Sequence, residues 1–119
     1  MFQGMEQPAP ATTPLRDVYT VSRLNREAKA VLEGGFPPLW IEVEISNLSR
    51  PASGHVYFSL KDAQAQVRCA FFRQHQRLLG LALKDGLHVL ARARVSLYEG
   101  RGDYQLHLQY LEDADEGAL

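Results

Sequence analysis

The sequence is poor in the features that staple or anchor small proteins. It has one cysteine, Cys69, in 119 residues, so it cannot form an internal disulfide. No histidine or cysteine pair has the spacing of zinc ligands, and we expect neither a metal nor a cofactor. No apolar run approaches the roughly 20 residues that span a bilayer. The N-terminus also lacks the basic segment followed by an apolar segment that is typical of a signal peptide. These absences favour a soluble cytoplasmic protein without a membrane partner.

Net charge is also small, but it is unevenly distributed. The formal net charge is -1, yet residues 39–111 carry nine Lys and Arg against six Asp and Glu. The acidic residues that follow this segment are Glu112, Asp113, Asp115 and Glu116. A segment of net charge +3 can attract phosphates, although such a charge is common in proteins that bind no nucleic acid. The charge therefore permits a nucleic-acid partner without proving one.

The length and the 45% hydrophobic content suit one compact domain and fall short of the roughly 200 residues at which a second becomes common. Residues 1–18, which include a stretch rich in Pro, Ala and Thr, are predicted to be a disordered tail. Residues 1–4, ahead of Met5, have the character of an expression-vector remnant. The predicted folded domain spans residues 19–112, and residues 113–119 form an acidic tail.

A helix is predicted from about Val21 to Glu33. Thr20 or Ser22 can cap its start, and a Gly-Gly pair followed by two prolines ends it. Its apolar residues share one face and its charged residues face water: Val21, Leu24, Ala28, Val31 and Leu32 against Arg23, Arg26, Glu27 and Lys29.

The hydrophobic period changes to two at Leu39. Alternation of apolar and polar residues then predicts five strands, at about residues 39–46, 56–61, 66–72, 89–98 and 104–110. A short helix over residues 73–79 is predicted between the third and fourth strands. The fourth strand is long enough to bend around a barrel. This count and order predict a five-stranded OB-fold Greek-key barrel preceded by an N-terminal helix.

Several motifs in this order and spacing carry a resemblance to a known family. They are Val21-Ser22-Arg23-Leu24-Asn25, Glu44-Ile45-Ser46-Asn47, Pro51-Ala52-Ser53-Gly54-His55, Leu60-Lys61-Asp62, Ala65-Gln66-Val67-Arg68-Cys69-Ala70, Leu97-Tyr98-Glu99 and Arg101-Gly102-Asp103-Tyr104-Gln105. Together they closely resemble the exodeoxyribonuclease VII large subunit from Tyr19 to Gln109.

The resemblance implies the N-terminal OB-fold domain of a nuclease that degrades single-stranded DNA to oligonucleotides. In that family the domain helps to hold the substrate for a larger catalytic region downstream. A long helical C-terminal part recruits the small subunit. The catalytic motifs and that docking region are absent from this sequence, so the resemblance implies a DNA-binding chain without nuclease activity.

Alternation along the second and third strands places aromatic and basic side chains together on the outer face of the barrel. The outward residues are His55, Tyr57, Lys61, Arg68 and Phe72. Single-stranded DNA is held by aromatic faces, at roughly 1 to 3 kcal/mol per stacked base, and by cations that follow the phosphates. Tyr57 is therefore predicted to stack on a base and Arg68 to contact a phosphate. The alternative is that Tyr57 is an ordinary exposed strand residue that packs against a cross-strand neighbour.

The loops supply further candidates. Arg101 lies between two glycines at the tip of the loop joining strands four and five, which often rims OB-fold grooves. It can clamp a phosphate, or the loop can be a tight turn in which Arg101 pairs with Asp103. Arg50 and Ser53, in the first loop, are similar candidates. For Trp40, a core or helix-packing role is favoured over base stacking.

No catalytic constellation has usable spacing, so no catalytic or metal-ligating residue is predicted. The four histidines are scattered, Cys69 falls on the inward face of a strand, and the aspartates of the domain occupy turns. Two other functions stay open. One is an RNA-binding OB module of the kind attached to aminoacyl-tRNA synthetases, and the other is a barrel that docks another protein domain.

The purified chain is expected not to cleave single-stranded DNA, with or without divalent metal, because it lacks a catalytic constellation. Incubation with labelled oligonucleotide, followed by gel analysis, measures this directly. Cleavage that copurifies with the chain and disappears on a point mutation in it would contradict the expectation.

Overall fold

The computed structural model describes residues 15–76 and 82–117. An N-terminal helix, α1 (Val21–Gly35), precedes the strands β1 (Leu39–Ser49), β2 (Val56–Lys61) and β3 (Gln66–Phe71). A 3₁₀ turn, Arg73–His75, follows, and then come β4 (His88–Tyr98), β5 (Asp103–Asp113) and a short helix, α2 (Ala114–Gly117). The predicted helix and all five predicted strands are therefore confirmed. Of the short helix predicted over 73–79, the structure has the 3₁₀ turn, and residues 77–79 lie outside the described residues, as does most of the N-terminal tail.

The strands form a closed barrel in the order β1-β2-β3-β5-β4, with β4 pairing back to β1. Neighbouring strands are antiparallel except β3 and β5, which are parallel and share only the pairs Cys69–Leu106 and Ala70–His107. β1 shifts its register on β2 between Ser46 and Ser49, where Asn47 has a φ of 54°. Asparagine tolerates this left-handed conformation better than most residues, so β1 can bend around the barrel there.

The inward residues of the strands fill the barrel, as the period-two pattern predicts. The bulkiest of the fully buried side chains are Phe58, Phe71, Ile45 and Leu60. Cys69 is a member of this core, and burial raises the pKa of its thiol to about 12. It therefore remains a protonated apolar core residue, as predicted. The expected core or helix-packing position of Trp40 is not observed, because β1 turns this side chain to the outer face, where it is 49% exposed.

Helix α1 begins as predicted, with the Thr20 hydroxyl accepting the amide hydrogen bond of Arg23 at 3.1 Å. The face that packs on the barrel differs from the predicted apolar face. Val21 and Val31 are 75% and 72% exposed, and only Leu32 of the predicted stripe contacts the core. The contact is instead largely polar, since the buried Ser96 hydroxyl of β4 donates to Glu33 at 2.7 Å. The prediction was wrong because periodicity identifies an apolar stripe and not the surface that covers it. None of the described helices is long and apolar enough to cross a membrane.

A network of ion pairs centred on His88 joins the ends of the barrel strands. His88, at the start of β4, places Nε2 2.8 Å from a Glu42 carboxylate oxygen of β1 and Nδ1 3.1 Å from an Asp115 oxygen of α2. The hydrogen bond with Asp115, reinforced by the charge of Glu42, raises the pKa of His88 above its usual value. In its protonated form the imidazolium pairs with both carboxylates and so links β1, β4 and the acidic C-terminal segment.

Replacing His88 with Gln is expected to lower the thermal unfolding midpoint at about pH 6 and to have a smaller effect at about pH 8. The folded-state pKa of His88 is raised, so its contribution is fully present below the unfolded pKa, about 6.5, and is lost as pH rises through the folded value. Thermal unfolding of the parent and the variant across this range measures the effect, and His75→Gln, at an exposed position, is the control. A difference that does not change with pH would contradict this role.

Candidate nucleic-acid interface

A groove of about 930 Å³ runs over the outer face of β2, β3 and the first half of β5. The loop between β4 and β5 forms one wall, and Lys29 of α1 reaches its rim. Four of the residues predicted to bind nucleic acid line this groove: Tyr57, Arg68, Phe72 and Arg101. Outward alternation on adjacent strands therefore brings them together, as the strand pattern predicts.

Arg68 lies on the groove floor with uncharged partners. Its guanidinium donates to the Ser59 hydroxyl at 3.1 Å and to the Asn47 carbonyl oxygen at 3.4 Å. Ser59 is its cross-strand neighbour on β2, and the bulge of β1 brings the Asn47 carbonyl within reach. These contacts orient the guanidinium without neutralising its charge. An exposed arginine held in this way is well suited to an anionic ligand.

Aromatic rings lie along β3 in the same groove as Arg68. Phe72 has edge-to-face contacts with His55, at a centroid distance of 5.3 Å, and with His107, at 5.0 Å. His55 Nδ1 accepts the backbone N–H of Arg73 at 3.0 Å, which fixes the orientation of that ring. Burial lowers the pKa of His107, so this ring is neutral near pH 7. The floor therefore offers ordered aromatic surface to a ligand.

The loop between β4 and β5 is held by α1. The Asn25 side chain donates to the Glu99 carbonyl oxygen at 2.9 Å, and Lys29 Nζ lies 3.5 Å from the Glu99 carboxylate. Gly102 has a φ of 70°, and a β-carbon there would lie 3.2 Å from Asn25 Nδ2. Glycine is needed at this point for both its conformation and its size. The helix thus positions the wall of the groove.

Arg101 is at the tip of this loop and is 3.3 Å from an Asp103 carboxylate oxygen. Both side chains are largely exposed, 76% and 55%, so the pair is weak. Of the two alternatives for Arg101, the tight turn with an ion pair is observed; Arg101 also lines the groove, and its contact with a phosphate stays a prediction.

Four predicted residues lie outside the groove lining. His55 contacts the ring of Phe72, which lines the groove. Lys61 Nζ lies 3.7 Å from Glu44 on β1, and the Arg50 guanidinium donates to the Leu83 carbonyl oxygen at 2.9 Å. Ser53, the other first-loop candidate, accepts the backbone N–H of His55 at 3.3 Å. These contacts explain why the first loop and the end of β2 hold their shape.

Other groove residues were missed in the sequence, namely Lys29, Tyr98, Tyr104, Gln105 and His107. Tyr98 and Tyr104 are 51% and 54% exposed at the two ends of the wall loop. Tyrosines flanking a loop next to a candidate cation were a usable signal, because aromatic faces beside cations are what holds an unpaired strand. Lys29 and His107 needed the packing of α1 and the β3–β5 pairing, neither of which the sequence pattern specifies.

Comparison with known proteins agrees with this geometry. Residues 19–112 match the family model described as an OB-fold nucleic acid binding domain. The chain is 62% identical over 104 residues to the exodeoxyribonuclease 7 large subunits of Pseudomonas savastanoi pv. phaseolicola and Azotobacter vinelandii. It is 56% identical to that of Thioalkalivibrio sulfidiphilus. Each match covers 87% of this chain and 23% of the relative, so the chain spans less than a quarter of their length. The resemblance read from the motifs is confirmed.

Solved structures give the same fold. A replication protein A heterotrimer bound to ssDNA superposes with a TM-score of 0.53 at 14% identity, covering 66% of this chain and 58% of that one. Asparaginyl-tRNA synthetase from Pyrococcus horikoshii superposes with a TM-score of 0.54 at 15% identity, covering 75% and 22%. At these identities the likeness establishes the barrel and nothing about its ligand.

Replacing Asn25 with Ala is expected to loosen the wall loop while leaving the barrel folded. Loss of the hydrogen bond to the Glu99 carbonyl removes a net ~1 kcal/mol, so local opening should become several-fold more frequent. Hydrogen exchange of the Gly102 amide, which donates to the Tyr98 carbonyl, measures this opening. Arg26→Ala, on an exposed position of the same helix, is the control. Unchanged exchange in Asn25→Ala would show that the helix does not support the loop.

Proposed function

The chain belongs to the OB-fold nucleic acid binding domain family, and on this premise we propose that its groove binds single-stranded DNA. The observation that supports this most directly is the groove floor, where the Arg68 guanidinium has only neutral hydrogen-bond partners among the described residues and shares the lining with the rings of Tyr57 and Phe72. A cation beside flat apolar surface matches the alternation of phosphate and base along an unpaired strand.

The proposed binding mode follows from the chemistry of the lining. Tyr57 and Phe72 supply faces for base stacking, while Arg68 and Arg101 contact phosphates. His55 orders Phe72 through their edge-to-face contact. Unpaired bases are required, because a paired base has no free face for these rings. Stacking on aromatic faces and contacts with phosphates do not discriminate between bases, so we expect binding that tolerates any base.

Arg50 and Lys61 are proposed as flanking phosphate contacts. Arg50 is exposed, and the Lys61 side chain is 43% exposed even though it lies near Glu44. Both lie at the ends of the β1–β2 hairpin. We expect them to contribute mainly to long-range attraction, and therefore less than Arg68 to affinity.

DNA is preferred over RNA in this proposal because the relatives at 56% to 62% identity are named exodeoxyribonucleases. The OB-fold alone supports an RNA ligand or a docked protein equally well. Competition between matched DNA and RNA oligonucleotides for the chain distinguishes the two nucleic acids. A failure to bind either favours the docking alternative.

For the whole protein we propose the role that the name of its relatives describes. In that proposal the chain is the DNA-holding domain of an exodeoxyribonuclease VII large subunit, and hydrolysis of single-stranded DNA to oligonucleotides takes place in a region outside this sequence. The small subunit binds a helical C-terminal part that is also outside this sequence. The enzyme works in the cytoplasm. The chain itself is proposed to be a non-catalytic module, which the cleavage assay described above tests.

Tyr57→Ala and Arg68→Ala are expected to weaken binding in different ways. Loss of the Tyr57 face should cost roughly 1 to 3 kcal/mol with little change in salt dependence, because no cation is removed. Loss of Arg68 should reduce the slope of log affinity against log salt by about 0.7. Fluorescence anisotropy of labelled oligothymidylate across salt concentrations measures both quantities, after circular dichroism has verified folding. If both folded variants bind like the parent at every salt concentration, the groove is not the binding site.

A further inference from the structure

A second aromatic and basic surface lies on the outer face of the barrel away from the groove floor. Trp40 of β1, Arg92 of β4 and Tyr110 of β5 are direct cross-strand neighbours in one row. The indole and phenol rings meet edge to face at a centroid distance of 6.0 Å, and the Arg92 guanidinium carbon lies 5.5 Å from the centre of the Trp40 ring. We refer to Trp40, Arg92 and Tyr110 as the platform.

The platform is exposed and held in place. Trp40 is 49% exposed and Tyr110 43%. A hydrogen bond between the Tyr110 hydroxyl and Glu112 raises the pKa of the phenol and fixes the ring. Large aromatic side chains kept at a surface in one orientation lose little conformational entropy when a flat ligand stacks on them. The core of the barrel does not use these faces, so they are open to a ligand that stacks on them.

The platform is continuous with the groove through one cation. Arg94 follows Arg92 at the next outward position of β4 and is exposed. Its cross-strand neighbour on β5 is His107, which lines the groove. Outward side chains along a strand are roughly 7 Å apart and neighbouring strands about 4.8 Å apart, which is the scale of the phosphate spacing in a single strand. Arg94 and Arg92 therefore place two cations between His107, at the groove, and Trp40.

Carboxylates mark where this path ends. In the next row beyond the platform, Glu112 and Glu42, which is paired with His88, lie on either side of Leu90, and these carboxylates disfavour an anionic strand there. Glu33 is close to the groove end of the path, but its carboxylate accepts the hydrogen bond of the buried Ser96 hydroxyl. The charges thus favour entry from the groove and termination at the platform.

We propose that a single strand leaving the groove at His107 crosses Arg94 and stacks on Trp40 and Tyr110, which extends the binding site by roughly two or three nucleotides. The ligand is the same class of single-stranded nucleic acid as in the groove, so this inference rests on the proposed function. A strand that fills only the groove does not reach the platform. Binding therefore depends on the length of the oligonucleotide.

Trp40 is the only tryptophan in the chain, so the test needs no label and no mutation. Oligothymidylates of about 4 and about 16 nucleotides, the limits known for one OB fold, are titrated into the 119-residue chain. Tryptophan fluorescence and the anisotropy of end-labelled oligonucleotides are both recorded. We expect the long oligonucleotide to quench Trp40 and the short one to bind with little quenching. Binding of the long one without quenching overturns the extension, whereas no binding of either overturns the proposed function itself.

Variants separate stacking from charge at the platform. Trp40→Ala is expected to weaken the long oligonucleotide roughly tenfold and to leave the short one unchanged, and Trp40→Phe should restore most of the loss. Arg92→Ala should reduce the salt slope for the long oligonucleotide alone. Lys84→Ala, at an exposed position in the β3–β4 connection, is the matched charge control. Equal affinity of the folded parent and Trp40→Ala for the long oligonucleotide would overturn the extension of the site to the platform.

Discussion

The parallel contact between β3 and β5 is the constraint on which the rest of the site depends. Only Cys69–Leu106 and Ala70–His107 are paired there, yet they close a sheet whose other strands are antiparallel. Closure removes two sheet edges and seals the core around Phe58 and Phe71. It also brings His107 beside Phe72, so the aromatic floor of the groove exists only in the closed barrel. The pairing of β3 with β5 thus forms both the closed core and the floor of the groove.

The sequence predicts the strands well because each has one buried face, and a period of two records that burial. Tyr57, Arg68 and Phe72 were placed together for the same reason, since alternation fixes the outward residues of paired strands. Arg101 was identified from its position between two glycines. In each case a local pattern was sufficient, because the information was carried by residues close together in the chain.

The features that the sequence did not reveal depend on contacts between distant segments. Trp40 reads as a core residue, because a large apolar side chain at the start of a strand is usually buried. Its exposure was nevertheless predictable, because the period of two in β1 places position 40 on the outward face with Glu42 and Glu44. Helix α1 packs through Glu33 and Asn25, whereas its apolar stripe, including Val21 and Val31, stays in solvent. Hydrogen-bond partners 63 and 74 residues away decide that orientation.

Asn25 of α1 holds the wall loop between β4 and β5, so the groove forms only after both segments have been synthesised. The groove combines Lys29, near the start of the folded chain, with Tyr104 and His107, near its end. During synthesis the N-terminal helix leaves the ribosome first and has no loop to hold until β5 follows. Contacts of such long sequence separation form late, because closing a long chain segment is entropically costly. A nascent chain therefore acquires its ligand surface only when almost all of the barrel has emerged, and incomplete products have no groove with which to sequester a strand.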